Sequence, residues 1–350
     1  MKNSNSKPGK AQDAAAAASS KEAEEGSTPN DAASMAGSIQ DLFSSLHTPQ
    51  EDADFVTQDL FVVPAEVRDV PVKDDMSSME LPVFSLMKKK DTSIREFSRG
   101  GKTLRVVPSV LGAATIFDKD ILLYLISYIV KTQEETGVVI GRRIKMNVYS
   151  FFLATGKSTG GAAFERIIDA CMRLRGTTIQ TNEKTTDKER TSGFGLIEEF
   201  DVVQYTKNGK GALELEITLS SWLHRAALNN DVLTVNPAYF RLSQGLERRL
   251  YEVGRKHTGQ QAWWTINLPG LREKMGSTQD DKDFKKSIKE IVAKQSIPDY
   301  KIALDESTRP AKLVFLSSNM PKVLAEATKT GRMSWLNDLL QQTVKKMNKA

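Results

Sequence analysis

Hydrophobic positions along the chain fall into helical and strand-like spacings that alternate in an ordered way from about residue 80 onward. "TLRVVPS" (103–109) alternates like a short strand, and residues 119–135 are apolar around so much of the helical girth that this helix must lie in a core, with Asp118 as its expected N-cap. A short helix is expected over 147–155. From 162 to 175 the residues Phe164, Ile167, Ile168, Cys171 and Leu174 recur at helical spacing, which leaves Arg166, Asp169 and Arg173 on the opposite face. "TTIQTN" (177–182), "FGLIEEFDVVQY" and "ALELEITLS" read as strands, the last two joined through Asn208-Gly209, a strong hairpin signal.

The order then repeats. A helix over 243–256 places Leu246, Leu250 and Val253 inward and leads into the strand-like "AWWTINL". A short helix follows, with Pro269 suited to its first turn and Gly276 to its C-cap. In "KDFKKSIKEIVAK", Phe284, Ile288, Ile291 and Val292 form one face while Lys282, Lys285, Lys286 and Lys289 form another. Two strands around a charged turn with Arg309 and Lys312 close the unit. Strand, helices and hairpin in this order are the order of a winged helix, whose third helix enters the major groove and whose hairpin tip meets phosphates. The expected fold class is therefore α+β: two tandem winged-helix domains over 76–235 and 236–320, a disordered acidic N-terminal tail over 1–75, and a C-terminal helical tail over 321–350.

Charge sharpens this division. Residues 1–75 hold 6 Lys+Arg against 14 Asp+Glu, a net of −8, with few aromatic residues, a composition that cannot repay its ordering entropy. The remaining 275 residues carry 43 against 30, a net of +13, which points to a polyanionic partner, nucleic acid ahead of membrane. Within the tail the tetrapeptide Gln-Asp-Leu-Phe occurs at 40–43 and again at 58–61. Its paired anchors, Leu42 with Phe43 and Leu60 with Phe61, are suited to docking in a partner's groove; they resemble clamp-binding peptides of bacteria, though the usual spacing has one more residue. Cys171 is the only cysteine, so no disulfide can form within the chain. No signal-peptide pattern stands at the start, and the longest apolar run (121–130) is about half a membrane span, so a cytoplasmic protein without membrane attachment is expected.

One stretch imitates a phosphate-binding loop: Gly156-Lys157-Ser158-Thr159-Gly160-Gly161. The loop motif requires a glycine five residues before Gly156, where Phe151 stands, and a preceding strand, where an amphipathic helix is expected. The stretch reads better as the turn of a helix-turn-helix, with Ser158 or Thr159 capping the next helix and Lys157 near a DNA phosphate. The expected DNA contacts are thus Lys157, Ser158, Thr159, Arg166 and Arg173 in the first unit, with Lys184, Lys188 and Arg190 in the polar segment "EKTTDKERTSG" that follows "TTIQTN". In the second they are Lys282, Lys285, Lys286, Lys289, Arg309 and Lys312. His47, His224 and His257 are scattered without metal-ligand spacing, so no enzyme, cofactor or metal is expected.

The segments "DDMSSMELPVFSLMKKKD" (74–91), "LRVVPSVLGAATIFDKDILLYLIS" (104–127) and "FRLSQGLERRLYEVGRKH" (240–257) resemble the replication initiator protein A family of bacterial plasmids. The resemblance covers about residues 70–318. It implies a plasmid initiator akin to the tandem winged-helix iteron binders, which recognises repeated duplex sites at the origin and helps open an adjacent AT-rich region. Host initiator, helicase and sliding clamp are the implied partners, with a second copy of the chain in a monomer–dimer equilibrium and repression of its own gene. A winged-helix transcriptional repressor without initiation activity shares every DNA-contact feature, and a nucleotide-hydrolysing enzyme is the reading that the loop-like stretch would support.

Overall fold

The computed structural model describes residues 58–64, 70–99, 102–160, 162–184, 189–205 and 213–348. The chain enters as β1 (Gln58–Val62) and β2 (Lys73–Asp75), then α1 (Met76–Glu80), β3 (Arg95–Arg99) and β4 (Lys102–Val107). Helix α2 (Lys119–Thr136) is buried along its whole first two-thirds, every residue from 119 to 130, because it runs through the middle of the molecule. It ends on Gly137 at φ +69°, a left-handed position that glycine adopts without strain. Asp118 stands at the N-cap but makes no side-chain cap bond; its Oδ2 accepts instead from the Thr115 N–H at 2.8 Å.

After α2 come β5 (Ile140–Asn147), α3 (Val148–Ala154) and α4 (Ala162–Gly176). The hairpin β6 (Thr178–Lys184) and β7 (Glu189–Gly195) follows, then β8 (Ile197–Gln204) and β9 (Leu213–Leu219). Helix α5 (Ser221–Leu228) and β10 (Val232–Thr234) complete the first half. After a short 3-10 turn (Pro237–Arg241) the second half runs α6 (Gly245–Thr258), β11 (Trp263–Asn267), α7 (Leu268–Met275), α8 (Asp281–Lys294), β12 (Tyr300–Asp305) and β13 (Lys312–Ser317). It closes with α9 (Met320–Lys329) and α10 (Met333–Met347). The helices expected from 119 to 294 are all found, within two residues of their expected ends.

Both halves repeat one connectivity, helix–strand–helix–helix–strand–strand. In the first the sheet order is β5–β9–β8; in the second it is β11–β13–β12, so the last strand always lies between the other two. The first half adds two things. Strand β1 joins the sheet in parallel beside β5, and a separate antiparallel sheet, β3–β4–β6–β7, is built around the inserted hairpin.

Three expectations need correction. Residues 58–64 and 70–75 are not part of a disordered tail: Phe61 and Val63 pack into the first core, Val72 packs into the second, and β2 pairs with β10. The net acidic composition of the first 75 residues masks the short apolar run "LFVV". The boundary at residue 75 falls inside structure, because Asp75 is the N-cap of α1, its Oδ1 accepting from the Ser78 N–H at 2.7 Å. The C-terminal helices are no appended tail either: Val323, Ala327, Leu336 and Leu339 share an apolar cluster with Ala303, Val314 and Leu316 of the second sheet. That sheet is therefore covered on both faces, which explains the unbroken apolar run "LVFL" in β13. Residues 1–57, with the first Gln-Asp-Leu-Phe copy and its Leu42 and Phe43, lie outside the described residues.

Candidate nucleic-acid interface

The third helix of each half, α4 and α8, together with the adjoining hairpins, holds most of the residues expected to touch DNA. On α8 the arrangement follows from helical geometry. Phe284, Ile288, Ile291 and Val292 are buried, and that turns Lys282 and Lys286 into solvent, where neither makes an ion pair among the described residues. Lys285 and Lys289 are half-buried, and their Nζ atoms each lie 3.0 Å from Oε1 of Glu306, on the turn between β12 and β13. A single carboxylate oxygen thus holds two lysines side by side. Nothing in the linear sequence marked Glu306. Arg309 is exposed on the same turn, and Lys312 stands beside it, half-buried. The N-terminus of α8 is acidic, with Asp280 as N-cap and Asp281 and Asp283 in the first turn, so the cationic centre lies at mid-helix rather than at the positive helix end.

The first half uses its cations differently. Arg173 does not face solvent: its Nε and Nη2 donate to the two oxygens of Asp118, both at 2.8 Å. That bidentate pairing pushes the guanidinium pKa further up, with burial opposing it. The Lys157 Nζ lies 2.6 Å from Oδ2 of the fully buried Asp120, so this lysine is tied to the protein rather than presented to a phosphate. Ser158 and Thr159 are exposed, ahead of α4, whose first described residue is Ala162. Arg166 is exposed on α4, flanked by exposed Glu165 and Asp169. Arg190 is exposed on β7; the Lys184 side chain and all of Lys188 lie outside the described residues. The hairpin carrying them, β6–β7, belongs to the β3–β4 sheet, while β8–β9 occupies the place that β12–β13 holds in the second half. Of the second Gln-Asp-Leu-Phe copy, Phe61 is a core residue and is not presented to a partner.

Phe151 is buried in α3, directly before the turn at Gly156, so the loop-like stretch follows a helix and lacks the strand a nucleotide loop needs. Among the described residues no cluster of His, Cys, Asp and Glu is placed to hold a metal ion, and no helix is long and apolar enough to cross a membrane. Burial pushes the Cys171 thiol up to about 12, so it stays protonated and unreactive.

Between the halves runs a buried ionic seam that sequence reasoning missed. Lys119 at the start of α2 donates to Asp74 at 2.6 Å and to Glu252 of α6 at 3.0 Å. Glu252 also accepts from the Tyr239 hydroxyl at 2.7 Å and from Arg249 at 3.0 Å. Asp120 accepts from Arg248 at 2.6 Å, and Arg249 donates to the carbonyls of Ser78, Met79, Glu80 and Lys274. Glu80 pairs with Lys274 and lies 2.9 Å from His257 Nε2. Burial pushes the Glu80 carboxyl up, but its hydrogen bonds and charge pairing with His257 and Lys274 win and hold it at about 2. Burial is the largest influence on His257 and lowers its pKa, with Glu80 opposing. Removing one partner of such a pair strands the other in a medium that solvates it poorly.

Two units of this connectivity, joined by a seam, define a mixed α/β protein built by repetition. Its fold is that of domains 2 and 3 of RctB: a crystal structure of those domains aligns over 69% of this chain and 98% of its own, with a TM-score of 0.53 at 11% identity. A second structure of the same RctB domains covers 71% of this chain and 98% of its own, with a TM-score of 0.48 at 13% identity. Residues 73–302 match the replication initiator protein A family. A protein of Wigglesworthia glossinidia brevipalpis described as "Putative replication protein" is 35% identical over 243 residues, 69% of this chain and 88% of that one. The chain belongs to the replication initiator protein A family.

Proposed function

We propose that this initiator acts by binding duplex DNA through two winged-helix units, with α8 and the β12–β13 turn providing the main grip. The observation that carries the reading is the α8 stripe: Lys282 and Lys286 free in solvent, Lys285 and Lys289 pre-positioned by Glu306, on the third helix of its unit. Cations at this spacing neutralise phosphates and release counterions, and side chains at mid-helix reach base edges. The first unit, where Lys157 and Arg173 are tied inward to Asp120 and Asp118, positions the protein more than it reads bases. Origin opening, recruitment of host initiator and helicase, and repression of the chain's own gene follow as the work of the bound protein. No covalent chemistry is required of it.

Footprinting on DNA that flanks the gene tests the reading, with a ladder of regularly spaced protected repeats as the expected result. Absence of protection at low salt overturns it. A transformation assay separates initiator from repressor: the gene with its flanking DNA sustains a plasmid that lacks any other origin, whereas a repressor does not.

A further inference from the structure

A cavity of about 440 Å³ opens in the first half between the start of α2, the end of α3, the helix α4 and the loop that contains residues 88–90. Its floor is apolar and its rim is cationic. Ile121, Phe151 and Ile167 form the floor, each at most 4% exposed. Lys89, Lys90 and Arg166 stand on the rim, all exposed and without an ion pair among the described residues, while Lys88 lies over the Phe117 ring at 4.8 Å. The acid that lines the cavity, Asp118, has both oxygens held by Arg173 and so does not neutralise this rim. At the mouth Leu111 is 47% exposed, and Val110 next to it is 82% exposed. A concave apolar floor under a ring of cations suits an occupant with apolar anchors and acidic flanks, which a bare phosphate backbone cannot fill.

The chain contains a segment of that chemistry outside the described residues. Residues 38–57 hold Asp41, Glu51, Asp52 and Asp54 and no lysine or arginine, with Ile39, Leu42, Phe43, Leu46, Phe55 and Val56 as large apolar side chains. The segment joins β1 at Gln58, which pairs with Ile140, near the C-terminal end of α2; the cavity lies at the other end of that 18-residue helix, about 27 Å away. The stretch from Phe43 to Gln58 can span about 50 Å when extended, so it reaches with slack. We propose that the acidic segment 38–57 docks in this cavity in cis, with Leu42 and Phe43 over the apolar floor and its carboxylates on Lys89, Lys90 and Arg166. Because Arg166 also lies on the outward side of α4, the docked segment competes there with DNA. That consequence rests on the DNA-binding reading, whereas the docking itself does not.

The test uses the full chain without DNA. A photocrosslinking benzophenone amino acid is placed at position 43, and crosslinked peptides are mapped by mass spectrometry at a protein concentration low enough to suppress encounters between copies. The expected result is intrachain crosslinks to the segments around residues 88–90, 111 and 166, with a yield that falls several-fold in Lys89→Glu/Lys90→Glu. Both lysines are exposed, so that variant retains its thermal transition. A synthetic peptide of residues 38–57 in excess lowers the yield in the unmutated chain. Crosslinks that map elsewhere, that join two copies, or that persist at full yield in the charge-reversed variant overturn the proposal. Footprinting of the origin is a separate measurement, so loss of one result does not decide the other.

Discussion

The third helices α4 and α8 stand at the same place in the same connectivity, yet their cations face opposite ways. On α4 Arg173 turns back to Asp118, the turn before it ties Lys157 to Asp120, and outward Arg166 stands between two acids. The sheet surface nearby is balanced as well: Lys145 pairs with Glu214 and Arg142 with Glu198. On α8 the lysines project outward, and the carboxylate that touches two of them, Glu306, sits on an exposed turn. Topology therefore does not determine what a recognition-type helix does. What differs is the environment each cation finds: beside α4 lies the acidic start of α2, which needs buried partners, whereas the lysine stripe of α8 meets solvent and Glu306 on the β12–β13 turn.

The comparison can be broken most severely at the seam. Glu252→Ala leaves Arg249 without its buried counter-charge and Lys119 with Asp74 alone, and a loss of about 3–5 kcal/mol is expected, read as a lowered denaturant midpoint. An unchanged midpoint shows that the halves do not depend on this network. Acid provides a second break. Glu80, held at about 2 against an ordinary 4.5, contributes stability that is present above pH 4.5 and lost as pH falls toward 2, worth about 3 kcal/mol by linkage. His257, whose pKa is lowered by burial, acts in the same direction: the unfolded chain takes up its proton first, so stability declines as pH falls through the ordinary histidine range. Buried Asp74, whose pKa burial pushes up, acts the other way, so the check is made by variant: thermal melts of Glu80→Gln should lose the decline below pH 4.5 that the unmutated chain shows, and an unaltered decline contradicts the Glu80 assignment.

Sharper is the contrast between surfaces. Lys282→Ala/Lys286→Ala should weaken DNA binding while leaving the melting temperature in place, and should reduce the slope of log K against log salt by about 1.8, two phosphate contacts' worth. Arg173→Ala should do the reverse, lowering stability by about 1–3 kcal/mol through the stranded Asp118, with the salt slope unaltered. Smallest in size but opposite in sign, Glu306→Gln should tighten DNA binding a few-fold at low salt by releasing Lys285 and Lys289. Equal or weaker binding by that variant means that pre-positioning by Glu306 outweighs its competition with phosphate.

Periodicity made the helices legible because burial imposes it: α8 has one apolar face, and its lysine stripe is what remains. Pairings between distant residues left no such trace. Lys157 and Asp120 are 37 positions apart and Arg173 and Asp118 are 55 apart, so a basic residue near a turn looked free when a buried acid was waiting for it. For the same reason Phe61 looked like an anchor for a partner; it stands in a stretch whose net charge is acidic, while its neighbours in space, across β5, are the first core. The three segments that carry the family resemblance supply the seam: Asp74 and Glu80 from the first, Asp118 to Asp120 from the second, Arg248, Arg249 and Glu252 from the third. What was recognisable in the sequence was thus the joint between the halves, and the surface proposed for DNA lies outside those segments.

The last strand of each unit lies between the other two, and this bears on how the chain can be divided. The family match stops at residue 302, midway along β12. A fragment ended there would lack β13, the middle strand of its sheet, and would leave β11 and the stub of β12 with no neighbour to bond. Ending at 318 keeps the sheet but removes α9 and α10, baring Ala303, Val314 and Leu316 as a sticky apolar face. The smallest piece of the second half suited to expression in soluble form therefore extends through Met347, well beyond the boundary that similarity alone would draw.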